Sequence, residues 1–335
     1  MVTSGPDPSY GSGEVEEALR SGRFGRITSV LVEHRGRRVL ENYQDGDVTT
    51  RRNTRSATKT VTGMLVGVAI DRGLVDSVTT PVSAYLPMGD AVRNPHPAKD
   101  AITVEDLLTM SSMLECDDTN PYSAGNEERM YLTPSWSEFA RDLPVKGFPP
   151  WVSRPEDSPY GRSFSYCTAG VVLLGSVLER ACGEPVEDFA RRELFDPIGV
   201  GEVTWSRTAE GTVMTGGGLL MTSRDLARLG RLSLDSGRVG DRQVVPREWL
   251  ATSTTAQVNV DGDRTYGYLW WLKDVGHAGR VHASHFMAGA GGNRVAVLPG
   301  LDLVAVVTSE NFGRDDAHDV TEQLIVEHVL PAVLT

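Results

Sequence analysis

Cysteine is scarce in this 335-residue chain: Cys116, Cys167 and Cys182 are the only three, and they show no metal-ligand spacing. An odd and low count argues against a secreted disulfide framework, and no metal site is expected. No stretch approaches the ~20 consecutive apolar residues of a spanning helix. The opening Met1-Val2-Thr3-Ser4-Gly5-Pro6 lacks a basic region followed by an apolar one, so a cytoplasmic protein is expected. Positive charge is in deficit as well: 33 Lys and Arg face 45 Asp and Glu, leaving −12. A surface of that sign repels phosphate backbones and anionic lipid, which argues against nucleic-acid and membrane partners. What remains is an ordinary globular chain, 40% apolar, able to bury a sizeable core without metal, cofactor or staple.

The pattern along the chain alternates between strands and helices. Residues 1–13, rich in Gly, Ser and Pro, read as a loose arm. Two apolar runs around Gly36, Ile27 to Val32 and Val39 to Tyr43, predict a β-hairpin. A nearly all-apolar helix opens at Arg55-Ser56-Ala57-Thr58-Lys59 and stops at Gly73. Thr103 with Asp106 predicts a capped helix. Further helices are expected over 168–182, 186–195, about 222–236 and about 317–330. Strands are expected at 266–271, 294–298 and 303–308. The proline-broken, aromatic stretch 113–165 reads as irregular, a pocket wall or lid. Joining the strand-rich ends gives an α+β fold: an antiparallel sheet flanked by helices, plus an all-helical lobe, with the active site in the cleft between. The expected division is a discontinuous sheet domain, 1–80 with 215–335, and a helical domain, 81–214, carrying the 113–165 insert.

Three local patterns carry chemistry. Ser56-Ala57-Thr58-Lys59 places a hydroxyl and an amine three residues apart, on one helical face. Serine is a weak nucleophile until a neighbour takes its proton, and a lysine held against an apolar helix can do so. By itself the motif could equally be a helix cap beside a solvated lysine. Phe164-Ser165-Tyr166 leads into a helix, where a tyrosine can relay protons between nucleophile and leaving group. Gly289-Ala290-Gly291-Gly292-Asn293 permits close backbone approach, and its strand N–H with that of Ser56 could form an oxyanion hole. The chain contains no Gly-x-Ser-x-Gly elbow and no His-Glu-x-x-His, which argues against a Ser-His-Asp hydrolase and a metal enzyme.

In this order and at these separations the three patterns resemble the family of class C β-lactamases, D-alanyl-D-alanine peptidases and related esterases, over Ile27 to about Leu330. Thr103 to Ser112, Gly216 to Leu226 and Val297 to Val304 add to the likeness. The resemblance implies a β-lactamase/transpeptidase-like fold, Ser56 as acylated nucleophile, Lys59 as its base and Tyr166 as general acid or base. It implies Asn293 as the strand donor of the oxyanion hole, and Thr168, Ala290, Gly291 and Gly292 at the substrate. Trp136, Trp151 and Tyr122 are the aromatic walls expected of the insert; Trp270 and Trp271 are as readily core.

Two positions depart from the family pattern. Thr168 stands where a Tyr-x-Asn motif has its Asn, and Ala290 where the third motif begins with Lys or His. A cation there would hold a substrate carboxylate. Its loss argues against hydrolysis of β-lactams or D-alanine termini. The expected activity is that of a serine hydrolase on a small-molecule ester or amide, of the esterase or 6-aminohexanoate-dimer hydrolase type. Alternatives are a transacylase in secondary metabolism, handing the acyl group to an amine or alcohol, and a non-catalytic binding protein.

Overall fold

The strongest apolar runs of the chain meet at the centre of one antiparallel sheet. The computed structural model describes residues 12–147 and 163–334. Its main strands are β1 (Ile27–His34), β2 (Arg37–Tyr43), β3 (Val258–Asp261), β4 (Arg264–Tyr266), β5 (Trp271–Lys273), β6 (His285–Gly289), β7 (Asn293–Leu298) and β8 (Leu303–Ser309). They lie in the order β2-β1-β8-β7-β6-β5-β4-β3, antiparallel throughout. The chain's two strand-rich ends therefore share a sheet. In β8, Leu303, Ala305 and Val307 join one core cluster while Val304 and Val306 join the other. Successive strand side chains point to opposite faces, so a strand covered on both sides is apolar throughout.

The helices used below are α1 (Ser12–Arg20), α2 (Thr58–Asp71), α3 (Val104–Leu108), α4 (Glu127–Tyr131), α5 (Trp136–Asp142), α6 (Thr168–Cys182), α7 (Ser223–Leu234) and α8 (Ala317–Leu324). One sheet face is covered by α1, α8 and the turns after α8, through Val15, Leu19, Val320, Leu324 and Leu330. Against the other lies α7. A Cβ on its Gly230 would come 2.6 Å from Val304, so only glycine permits this approach. Helices α2 and α6, almost wholly buried, pack together behind the site. α6 ends at Gly183 in the left-handed conformation, as its sequence predicts. The Thr103–Asp106 capping box is present on α3.

Several expectations are corrected. The 266–271 run is not one strand: β4 ends at Tyr266 and β5 begins at Trp271, because Tyr268 and Leu269 turn inward, with the Leu269 N–H donating to the Leu108 carbonyl. The 113–165 stretch is not wholly irregular, since α4 and α5 form there, capped by Asn126 and Ser135. Cys116 and Cys167, 51 residues apart, are joined in a disulfide, so the low cysteine count misled; Cys182 is free. Among the described residues no helix is long and apolar enough to cross a membrane.

Candidate active site

Ser56 is carried by a strained turn. Arg55 has φ 51°, in the left-handed region an arginine rarely enters, and the Asn53 side chain accepts its N–H at 2.8 Å. Ser56 follows on a 3-10 turn, Arg55–Ala57, which runs into α2; the serine thus precedes the α-helix rather than sitting in its first turn. Thr54 and Thr58 fasten this turn to the 219–221 strand. Thr54 donates both its N–H and its hydroxyl to the Leu219 carbonyl, and Thr58 Oγ1 accepts the Leu219 N–H.

Three residues on, Lys59 is 1% exposed. Its Nζ donates to Ser56 Oγ at 2.9 Å and to the Gly216 carbonyl at 2.6 Å, and stands 5.0 Å from the Tyr166 ring centroid. The Gly216-Gly217-Gly218 run, noted in the sequence only as family-like, acquires a reason here. A Cβ on Gly216 would come 2.7 Å from Thr168 Cγ2 and obstruct the approach of this carbonyl to the lysine.

Tyr166 is half-buried beside Lys59, its ring stacked on Trp271 at 5.6 Å, with Phe164 nearby. Its backbone is clamped. The Asp118 N–H donates to the Tyr166 carbonyl at 2.9 Å, Ser165 Oγ donates to the Cys116 carbonyl at 2.6 Å, and the disulfide closes the next residue pair.

Ser56 and Tyr166 open onto a cleft of about 920 Å³. Its aromatic walls are Phe164, Tyr166, Trp271 and Phe286. Two of the three walls the sequence suggests lie elsewhere. Trp136 is buried in the hydrophobic core with its ring edge against Tyr131, and Tyr122 is 87% exposed, outside the cleft. Trp151 lies outside the described residues. Trp270 is core, packed on His285, whereas Trp271 faces the cleft.

The third pattern shifts in the same way. Strand β6 abuts the Ser56 turn so closely that a Cβ on Gly289 would lie 2.1 Å from the Thr54 carbonyl oxygen. Ala288, Gly289 and Ala290 line the cleft. Gly291 and Gly292, at φ 81° and 90°, form the turn into β7 and pack on Phe312 and on Ala317 and Thr321; they do not line the cleft. Asn293 pairs with Gly289 across the turn, and its buried amide donates to the Ala290 and Ser309 carbonyls. It braces the turn instead of facing the cleft. Thr168 too is fully buried at the start of α6, its N–H held by Asp118 and its hydroxyl by Glu127. It does not line the cleft.

Charge in the cleft is lopsided. Among the described residues, eight carboxylates line it (Asp117, Asp118, Glu127, Asp261, Asp263, Asp315, Asp319, Glu322) against four cations (Lys146, Arg264, Lys273, Arg294). Three of the cations are engaged: Arg264 with Asp261, Lys273 with Asp263 and Glu322, Arg294 with Glu322. Burial pushes Asp118 up to about 6, with Lys59 opposing the rise and Glu127 adding to it. Burial also drives His318, at the far wall, down to about 4, and Arg294 reinforces this. Sequence patterns flagged none of Asp118, Glu127, Phe286, Arg294 and His318. The adjacent pair Asp117-Asp118 beside Cys116 was the one local hint. Among the described residues no His, Cys, Asp and Glu cluster is arranged to hold a metal.

Known proteins resemble the chain at two levels, sequence and fold. A 6-aminohexanoate-dimer hydrolase of Paenarthrobacter ureafaciens is 26% identical over 258 residues, 73% of this chain and 64% of its own length. The chain thus spans under two thirds of that relative. A solved structure described as EstCE1, a hydrolase with promiscuous acyltransferase activity, matches at TM-score 0.70 and 15% identity, covering 94% of this chain and 97% of its own. A D-stereospecific amidohydrolase from a Streptomyces species matches at TM-score 0.68 and 19% identity, over 96% and 99% of the two chains. At such identities these structures speak for the fold. The Beta-lactamase family model matches residues 25–330, nearly the whole chain. The protein belongs to the Beta-lactamase family.

Proposed function

We propose that the protein is a serine hydrolase that cleaves a small-molecule ester or amide through an acyl-enzyme on Ser56. The carrying observation is the 2.9 Å hydrogen bond between Lys59 Nζ and Ser56 Oγ at the head of an open cleft. Lys59 takes the Ser56 proton as Oγ bonds to the substrate carbonyl carbon. Negative charge then gathers on the carbonyl oxygen. The Ser56 N–H and a backbone N–H at the end of β6, with Ala290 as the second donor in place of Asn293, are the groups suited to receive it. When the tetrahedral adduct collapses, the bond to the leaving group breaks, and Tyr166 passes it the proton held by Lys59. Water, activated by the reverse relay, then releases the acid and frees Ser56.

The lining favours a neutral or cationic substrate over an anionic one, because among the described residues its carboxylates outnumber its cations. Transacylation is the second reading. It draws on the size of the cleft, which has room for an acyl group and an acceptor together, and on the acyltransferase activity named for EstCE1. Both readings require an acyl-enzyme. The test is to mix the protein with a p-nitrophenyl acyl ester and measure intact mass within seconds, beside Ser56→Ala. One acyl group gained by wild type and none by Ser56→Ala supports the proposal; equal masses and equal background release end it. Amines or alcohols added to the same reaction separate transfer from hydrolysis by the product formed.

A further inference from the structure

We propose that Asp118 is a positioning residue for this reaction: a fixed carboxylate that stabilises the ammonium Lys59 becomes on taking the Ser56 proton. The proposal rests on the acyl-enzyme reading above. No catalytic pattern in the sequence includes Asp118, which lies 62 residues beyond Ser56.

The carboxylate is held from several sides. Oδ2 accepts the Thr168 N–H at 2.7 Å and Oδ1 accepts the Glu127 N–H at 3.0 Å. The residue's own N–H is spent on the Tyr166 carbonyl, and Asn126 Nδ2 donates to the Asp118 carbonyl at 3.1 Å. Two residues back, Cys116 is bonded to Cys167. With both oxygens anchored on different elements and its backbone tied at both ends, the carboxylate cannot swing away. It is half-buried and in the wall of the same cleft as Ser56.

The groups around it define its role. Lys59 approaches from α2, Glu127 and Tyr131 from α4, Asp117 from its own loop, and Tyr166 from the segment leading into α6. When protonated, Lys59 is the cation whose charge favours ionised Asp118, and Glu127 is the carboxylate that opposes it. Proton transfer from Ser56 creates positive charge on Lys59, and a fixed negative charge nearby lowers the energy of that state. A triad aspartate serves its imidazolium in the same way, without taking the proton. Because burial brings Asp118 to about 6, this support is present at neutral pH and withdraws as the pH falls through that value.

The test is the pre-steady-state acylation rate against pH for wild type and Asp118→Asn, with the p-nitrophenyl ester as probe. Wild type should show an inflection near pH 6, below which the rate falls more steeply. Asp118→Asn should acylate about 10- to 100-fold more slowly at about pH 7.5 and lack that inflection. A variant within twofold of wild type, or one that is slower but keeps the inflection, overturns the proposal, since a purely structural loss leaves the profile's shape alone. Should Asp118→Asn fail to fold by circular dichroism, Glu127→Gln carries the test. Removing the opposing charge keeps Asp118 ionised further into acid, so the inflection should move to lower pH, and an unmoved one refutes the idea. Wild type that never acylates sinks the acyl-enzyme reading itself; acylation with an unaltered profile sinks this inference alone.

Discussion

Replacing Gly289 by alanine tests whether the gap between β6 and the Ser56 turn is set by the absence of one side chain. A Cβ there would lie 2.1 Å from the Thr54 carbonyl oxygen and 3.0 Å from Arg55 Cβ. Carbon and oxygen in van der Waals contact stand about 3.3 Å apart, so strand or turn must retreat by roughly 1 Å. The obstructing atom is backbone, and Thr54 cannot yield freely, because its N–H and hydroxyl are both held by the Leu219 carbonyl. Overpacking of this kind costs about 1–3 kcal/mol in stability. On the proposed mechanism the larger consequence is catalytic: a misplacement of about 1 Å between Ser56 and the proposed oxyanion donors lowers turnover about 100-fold. The assay is kcat and KM for a p-nitrophenyl ester, with urea melts on the same samples. Gly276→Ala, where a Cβ meets nothing within 4 Å, is the control and should match wild type. Gly289→Ala should lose kcat by about 100-fold with KM little changed, while still folding cooperatively. A Gly289→Ala enzyme with wild-type kcat would refute the argument that β6 and the Ser56 turn form one registered unit.

Single contacts set the other expectations. Lys59→Ala should lower acylation by about 1,000-fold or more while leaving KM near wild type, measured with the same ester, because it removes the amine hydrogen-bonded to Ser56. Thiol titration of the unfolded, unreduced protein should find one reactive group per chain, Cys182, rising to three after reduction; three from the outset would contradict the disulfide. Its loss in Cys116→Ser/Cys167→Ser should cost up to about 4 kcal/mol by loop-closure entropy for a 51-residue separation, read from urea melts. His285 sits in the core with Nε2 on Ser233 Oγ, and burial drives it down to about 4. A histidine depressed in the fold stays neutral while the unfolded chain protonates, so stability is intact at about pH 8 and falls as the pH drops below about 6.5. Roughly 2 kcal/mol should be gone by about pH 5, and His285→Gln should flatten that slope.

The parts of this fold legible in the sequence were those governed by local rules. Helix α6 could be bounded at both ends because an apolar run meets a left-handed glycine, Gly183. The capping box at Thr103 and Asp106 and the apolar runs of β7 and β8 were legible for the same reason. Ser56 and Lys59 stood out because their bond is made within one helical turn. What stayed hidden depends on distant segments meeting. Trp136 and Trp271 are equally plausible walls by composition. Which one faces the cleft is decided by how α5 packs into the core and β5 into the sheet, and no local pattern encodes either. The disulfide joins residues 51 apart, and Asp118 reaches Thr168 across 50. The glycine-rich turn misled for a subtler reason. Glycine marks close backbone approach, but at Gly289 the approaching partner is the protein's own Thr54, and at Gly291 and Gly292 it is α8 and Phe312.

The two departures from the family pattern are tied to the charge of the cleft. The sequence sets Ala290 and Thr168 where a cation and an amide are expected, which suggests a site stripped of its recognition groups. In the structure Thr168 has a task of its own. Its N–H and hydroxyl hold Asp118 and Glu127, bringing two carboxylates to the lobe side of the cleft. Across from them the cations of the sheet side are neutralised by Asp261 and Asp263, around the turn between β3 and β4, and by Glu322 on α8. A carboxylate-bearing substrate would meet repulsion at one end and occupied partners at the other. An amine-bearing one would meet the reverse. Ala290 thus lacks the cation of the family pattern while Thr168, the second departure, holds two carboxylates in place, and the proposed preference for a cationic over an anionic substrate rests on where Asp118 and Glu127 are pinned. Comparing acylation by esters that differ only in a terminal ammonium or carboxylate puts this to the test. The ammonium ester should acylate Ser56 about 10-fold faster or more at low salt, with the advantage shrinking at high salt. Equal rates for the two, or a preference for the carboxylate, would show that the acidic lining does not select the substrate.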